Sequence, residues 1–198
     1  MPSVSIDHEL RPLRADARRN RELLLEAAVR NLLVDADVPL EAIARDAGVG
    51  IGTLYRHFPT RGALIEAAYR NELDRVCEAA SGFLATLPAD EAFGAWLDRL
   101  VEFVIAKRGM SSALQSLCAP GSDSMTSSRE RLHGVIGEML TVGAGQGTLR
   151  SDVDAYDVLT TISGIFSACT EPNFRDQSSR LLKLMLDGLR HGAGATKR

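Results

Sequence analysis

Long apolar runs are missing from this 198-residue chain: the longest unbroken stretches, such as Phe103 to Ala106, hold four residues, far short of the ~18 to 20 that span a bilayer. A membrane helix is not expected. Met1 to Leu13 carries Asp7, Glu9 and two prolines in place of a basic start and an apolar centre, so no secretory signal is expected and the chain reads as cytoplasmic. Cysteine is scarce. Cys77, Cys118 and Cys169 form no Cys-x-x-Cys pair, lie in apolar helical patterns, and read as small buried hydrophobes rather than disulfides or nucleophiles. His8, His57, His133 and His191 share no metal-ligand spacing, and no His-Glu-x-x-His occurs, so neither metal nor cofactor is expected. No strained elbow sequence marks a Ser, His and acid group, which argues against an enzyme and leaves no catalytic residue to name. Gly48-x-Gly50-x-Gly52 is no phosphate loop, because residue 53 is Thr and no Gly-Lys-Ser/Thr follows.

Strict period-two alternation is also absent, and apolar residues recur instead at three-and-four spacing, which points to an all-α fold. The hydrophobic share of 45% and charged share of 25% suit an ordinary globular chain of one domain or two small ones. A polar leader (1–17) is expected to be flexible. Leu25, Ala28, Val29 and Leu32 mark a first helix over Arg18 to Val34; Pro39 opens a short second helix closed by Gly48, and a third runs from Gly50 to His57. Three-and-four spacing then continues from Thr60 to Leu84 as one long helix. Further helices are expected around Phe93 to Val104, Met110 to Cys118, Ser127 to Leu140 (with Ser127 and Glu130 as a capping box, and Gly143, Gly145 and Gly147 as the stop), Val153 to Thr170 and Phe174 to His191. That makes about nine helices, divided as 18–61 and 62–191, with a frayed tail over 192–198.

The sharpest signal lies in Leu40 to Phe58. Two short helices crossing steeply need a small residue at the crossing, a turn glycine able to take positive φ, and apolar residues on the facing sides. Ala44, Gly48 and Leu54 stand at those offsets, with Ile43, Val49 and Phe58 completing the small core. This is a helix-turn-helix whose second helix presents Gly50, Ile51, Thr53, Tyr55, Arg56 and His57 outward, a surface suited to the major groove.

The run Gly48-Val49, then Gly52-Thr53-Leu54-Tyr55-x-His57-Phe58-Pro59-Thr60-Arg61, resembles the DNA-binding signature of the tetracycline-repressor (TetR/AcrR) family, over roughly Arg19 to Tyr69. The resemblance implies a homodimer with an N-terminal helix-turn-helix domain and a C-terminal helical bundle for ligand binding and dimerisation. It implies base and backbone contacts for Thr53 and Tyr55, a phosphate contact for His57, and another for Arg61, where the family usually has lysine. Gly50, Ile51 and Arg56 match variable positions that set sequence preference, and Gly52 belongs to the same surface. Val38-Pro39-Leu40 departs from the family's Ser or Thr at the start of the second helix, and Asn31 stands where an apolar residue is usual.

Residues 11–61 hold nine Arg against seven Asp and Glu in a chain of net charge −3, so a phosphate-neutralising surface depends on placement. Arg18 and Arg19 are candidate contacts beside the motif. By the same resemblance, Tyr69, Phe93, Trp96, Leu100, Phe103, Met110, Leu114, Leu117, Met125, His133 and Met139 are candidates for a ligand pocket, although for any one of them a place in the core is the more ordinary reading. Leu159, Ile162, Ser163, Phe166, Leu181, Leu184, Met185 and Leu189 are candidates for the dimer interface. The expected partners are a double-stranded DNA operator, a small hydrophobic or aromatic effector, and a second copy of the chain, with no membrane. The expected function is a ligand-responsive repressor. An activator of the same family, and an all-helical carrier that binds no DNA, remain as alternatives.

Overall fold

The computed structural model describes the backbone of residues 6–110, 114 and 123–192, and the side chains of residues 15–110, 114 and 126–192. The helical spacing of the sequence becomes eight helices among these residues: α1 (Ile6–Val34), α2 (Leu40–Asp46), α3 (Ile51–His57), α4 (Arg61–Leu84), α5 (Ala89–Gly109), α6 (Asp123–Gln146), α7 (Ala155–Ala168) and α8 (Phe174–Arg190). No described residue is in a strand, and no described helix is long and apolar enough to cross a membrane. The helix expected over Met110 to Cys118 lies outside the described residues, apart from Met110 and Leu114.

Several boundaries move. α1 starts at Ile6 rather than Arg18, so the segment expected as a flexible leader is helical from there on, through Pro12. α6 starts at Asp123, which puts Ser127 and Glu130, both exposed, inside the helix rather than in a capping box. Its stop is Gly147, at φ +70, while Gly143 is helical and acts through its missing side chain. A Cβ on Gly143 would lie 2.5 Å from Leu149 Cδ1, and the amides of Thr148 and Leu149 both donate to the Gly143 carbonyl. The chain therefore folds back across its own last turn and buries Leu149.

The residues form two compact units. The first takes the chain up to Asn71 together with Ala106–Met110 and Leu114. Its core is Leu24, Leu25, Ala28 and Leu32 from α1, Ile43, Ala44 and Leu54 from the short helices, and Leu64, Ile65 and Ala68 from α4. Within this unit Gly109 lies against the end of α1 so closely that a Cβ there would meet Leu33 Cα at 3.1 Å and the Leu32 carbonyl oxygen at 3.4 Å. Thr60 Oγ1 accepts from the Ala63 amide and caps α4.

The second unit takes Glu72–Ile105 and 123–192. Phe93 and Trp96 are fully buried at its centre, with ring centroids 5.8 Å apart, each contributing about 1.5–3 kcal/mol or more through burial. The Trp96 indole finds its buried acceptor at the Val76 carbonyl of α4, 3.0 Å away. One turn earlier on α4 the buried Glu72 carboxylate meets Arg75 at 3.3 Å and Arg99 of α5 at 3.2 Å, so α4 and α5 are tied by two polar contacts as well as by packing. Asp154 caps α7 by accepting from the Tyr156 amide at 2.7 Å.

Candidate nucleic-acid interface

α2 and α3 hold seven residues each, too few to persist alone, so packing must shape both. Ile43, Ala44 and Ala47 on α2 and Leu54 and Phe58 at α3 are buried, and Val49 is half-buried between them. The turn takes Gly48 at φ +67, a conformation strained for any residue with a Cβ, and the Val49 amide donates back to Ala44 O at 2.9 Å. The helix-turn-helix core expected from the sequence is thus assembled.

With Leu54 and Phe58 turned inward, helical geometry turns residues 52 and 56 outward and places 51, 53, 55 and 57 on the flanks. Ile51 is 37% exposed and Tyr55 46% exposed, and Arg56 is exposed as well. Thr53 and His57 are half-buried, the His57 ring tilted at 6.1 Å from that of Phe58. Gly50 and Gly52 face open space, with nothing within 4 Å of a Cβ built on either, so packing does not require glycine at these positions. Arg18 and Arg19 are exposed on α1.

Other cations near the motif have partners within the protein. Arg61 is half-buried and directs both terminal nitrogens at backbone carbonyls of the α1–α2 turn, Nη1 to Val38 O and Nη2 to Ala36 O, each at 2.5 Å. Arg21 lies over the Phe58 ring at 5.4 Å. Arg30 and Asn31 both reach the Asp46 carboxylate, at 2.9 and 2.8 Å. Reading the sequence placed Arg21 in a basic cluster but missed its contact with Phe58 and this α1–α2 clamp; the polar Asn31 at a position expected to be apolar was the available signal.

The residues expected to line one ligand pocket divide between the units. Tyr69, Met110 and Leu114 are buried in the first, the Tyr69 ring with Lys107 Nζ at 5.9 Å; Phe93, Trp96, Leu100, Phe103 and Met139 are buried in the second. His133 is half-buried on α6, its ring tilted 46° against the exposed Tyr156 ring of α7 at 4.6 Å, and Arg129 also covers Tyr156. Leu117 and the Met125 side chain lie outside the described residues. Two cavities of about 370 Å³ occur elsewhere in the second unit. One lies between α5 and α8, with Gly94, Leu97, Leu182 and Leu186 in its walls and Arg180 and Lys183 among its polar groups; the other is lined by Ile105, Glu171, Pro172, Phe174, Arg175 and Asp176.

The expected interface residues divide too. Leu159, Ile162 and Leu189 are buried within their own unit and cannot meet a partner without unpacking it, whereas Ser163, Phe166, Leu181 and Met185 are half-buried and Leu184 is 69% exposed. Among the described residues no group of three or more His, Cys, Asp or Glu side chains could hold a metal. Burial pushes the Cys77 thiol up, Asp74 and Glu78 add to this, and Arg131 opposes it.

Comparison with known proteins adds sequence and structural relatives. A family model described as bacterial regulatory proteins, tetR family, matches residues 24–68, and one described as transcriptional regulator SbtR-like, C-terminal domain, matches residues 88–191. A TetR transcriptional regulator from Streptomyces coelicolor is 46% identical over 86% of this chain and 98% of its own, with a TM-score of 0.77. A TetR transcription regulatory protein from Mycobacterium vanbaalenii is 33% identical over 90% of this chain and 99% of its own, with a TM-score of 0.74. A transcriptional regulator from Saccharomonospora viridis, solved in complex with choline, shares the fold at 20% identity, covering 84% of this chain and 95% of its own with a TM-score of 0.60. No curated protein matches the chain in sequence.

Proposed function

The chain belongs to the TetR family of bacterial transcriptional regulators, with a DNA-binding helix-turn-helix, and from that premise we propose that it is a cytoplasmic repressor, released from its operator by a small hydrophobic or aromatic molecule. The observation that carries this reading is the outward face of α3. Ile51 and Tyr55 are left exposed on the flank of a helix sealed inward by Leu54 and Phe58, and Arg56 is exposed on its outward side. Apolar, aromatic and bidentate cationic groups together are what base edges in a major groove accept. Arg18 and Arg19 supply charge for phosphates nearby in the sequence, and Thr53 and His57 flank the reading surface.

A seven-residue helix reaches few base pairs, so the operator is proposed to be a pseudo-palindrome read by a homodimer, with half-sites ~34–36 Å apart. The exposed Leu184, with Leu181, Met185, Ser163 and Phe166 beside it on α7 and α8, supports such a partner. The effector is proposed to bind in the second unit, whose apolar interior around Phe93, Trp96, Leu100 and Met139 supports an apolar or aromatic molecule. A coupling of about 1–3 kcal/mol would lower operator affinity roughly 5- to 150-fold, sufficient for a switch. The protein is proposed to act by binding rather than by turnover, as membership of a family of transcriptional regulators supports.

Selection of genomic fragments by the purified protein at two salt concentrations, followed by footprinting, tests the proposal. The expected result is a protected pseudo-palindrome whose affinity falls steeply with salt. No enrichment at either salt would overturn it.

A further inference from the structure

Arg61 was expected to hold a phosphate, yet both of its terminal nitrogens are engaged by the protein itself. The planar guanidinium presents donors in a rigid fork, and here that fork spans two carbonyls of one turn, Ala36 O and Val38 O. The turn leads directly into α2, whose N-cap is Pro39. Proline has no side-chain acceptor, and no side chain caps this helix; the Ala42 and Ile43 amides bond only to the Pro39 carbonyl. The far end of α2 is held by Arg30 and Asn31 through Asp46. The near end is held from α4, where Thr60 caps the first turn and so steadies the base from which Arg61 reaches back.

We propose that Arg61 is a positioning residue that braces the turn leading into the uncapped N-terminus of α2, fixing the angle at which α2, and through the Gly48 turn α3, is presented to DNA. Its functional consequence rests on the DNA-binding reading above. Lysine, with one point-like ammonium, cannot reproduce the two-carbonyl bridge.

The test uses the full chain as R61K, which keeps the charge, and R61M, which keeps the length. Each variant should speed hydrogen exchange at the hydrogen-bonded amides of Asp37, Val38 and Ala42 by about tenfold or more, as loss of charge-assisted hydrogen bonds requires, leaving residues 123–192 unchanged. Each should also weaken binding to a duplex selected by the wild-type protein without changing the slope of affinity against salt. Two results would overturn the proposal: unchanged exchange in the variants, or wild-type binding by R61K together with an R61M slope reduced by about one, the mark of a phosphate contact. If R61M fails to fold by circular dichroism, R61K decides alone. If the wild-type protein selects no duplex, the repressor reading falls, while the exchange measurement still decides what Arg61 does.

Discussion

Asn31 on α1 donates its side-chain amide to the carboxylate of Asp46, the last residue of α2, across 2.8 Å. A negative charge at a helix C-terminus is disfavoured by the helix dipole, and Asn31 and Arg30 together offset it. Because Arg30 and Asp46 are exposed, the clamp is worth little in net stability. Asn31→Leu should lower stability by about 0.5–1 kcal/mol, and Asp46→Ala by a similar amount that is not additive with it. Urea unfolding of both single variants and the double variant checks this; a more stable Asn31→Leu protein would show that apolar packing outweighs the hydrogen bond.

Tyr55 and Leu54 are neighbours with opposite duties. Tyr55→Ala should leave the melting temperature nearly unchanged and weaken operator binding by about tenfold or more, the range of a lost base contact. Leu54→Ala empties a buried site and should cost about 2–5 kcal/mol of stability. Calorimetry and fluorescence anisotropy on the selected duplex separate the two effects. Full operator affinity in folded Tyr55→Ala would remove α3's exposed face from the interface.

On the C-terminal helices, exposure divides candidates that sequence alone treats as equals. Leu184→Glu should split the proposed dimer without destabilising the protomer, whereas Ile162→Ala should lower stability by about 2–5 kcal/mol. Light scattering coupled to size exclusion reads the first result. A Leu184→Glu protein that stays dimeric would place the contact elsewhere.

Two glycines should respond to alanine with opposite signs. At Gly109 a methyl would press on the Leu33 backbone at 3.1 Å, so Gly109→Ala should destabilise by about 1–3 kcal/mol. At Gly134, inside α6 with open space around it, Gly134→Ala should stabilise by about 0.5–1 kcal/mol through helix propensity. Denaturant unfolding compares them directly; a neutral Gly109→Ala would mean that α1 and α5 can separate at little cost.

Cys77 should alkylate slowly. Its thiol is pushed up chiefly by burial, with Asp74 and Glu78 adding to the shift and Arg131 opposing it, so at pH 8 its thiolate fraction lies below that of an unfolded control. As pH rises through the ordinary cysteine range, the unfolded thiol ionises first and the native state loses stability relative to it. Peptide mapping after timed iodoacetamide treatment measures the rate at Cys77; a rate above the denatured control would contradict the burial argument.

The helix-turn-helix was legible because each of its requirements is local. Ala44, Gly48, Leu54 and Phe58 serve within one short stretch, and 3.6-residue periodicity states which of them face inward. The intramolecular partners of Arg61 were not legible because they lie 23 and 25 residues upstream, nor was that of His133, whose aromatic neighbour is on another helix. The extension of α1 to Ile6 escaped notice since polar Arg-rich sequence looks the same in a solvated helix as in a leader. The ligand-pocket candidates were chosen for apolarity, a property that core and cavity share.

By itself the sequence determined an all-helical chain, the position of a reading helix, and the family to which both belong, because apolar period, turn glycines and a compact motif are written in adjacent residues. Only the tertiary structure decided which arginine stands exposed and which braces a turn, and which leucine of α8 is buried and which is open. Those outcomes depend on donors, acceptors and methyl groups brought within a few ångströms by helices far apart in the chain, and no local pattern records that distance.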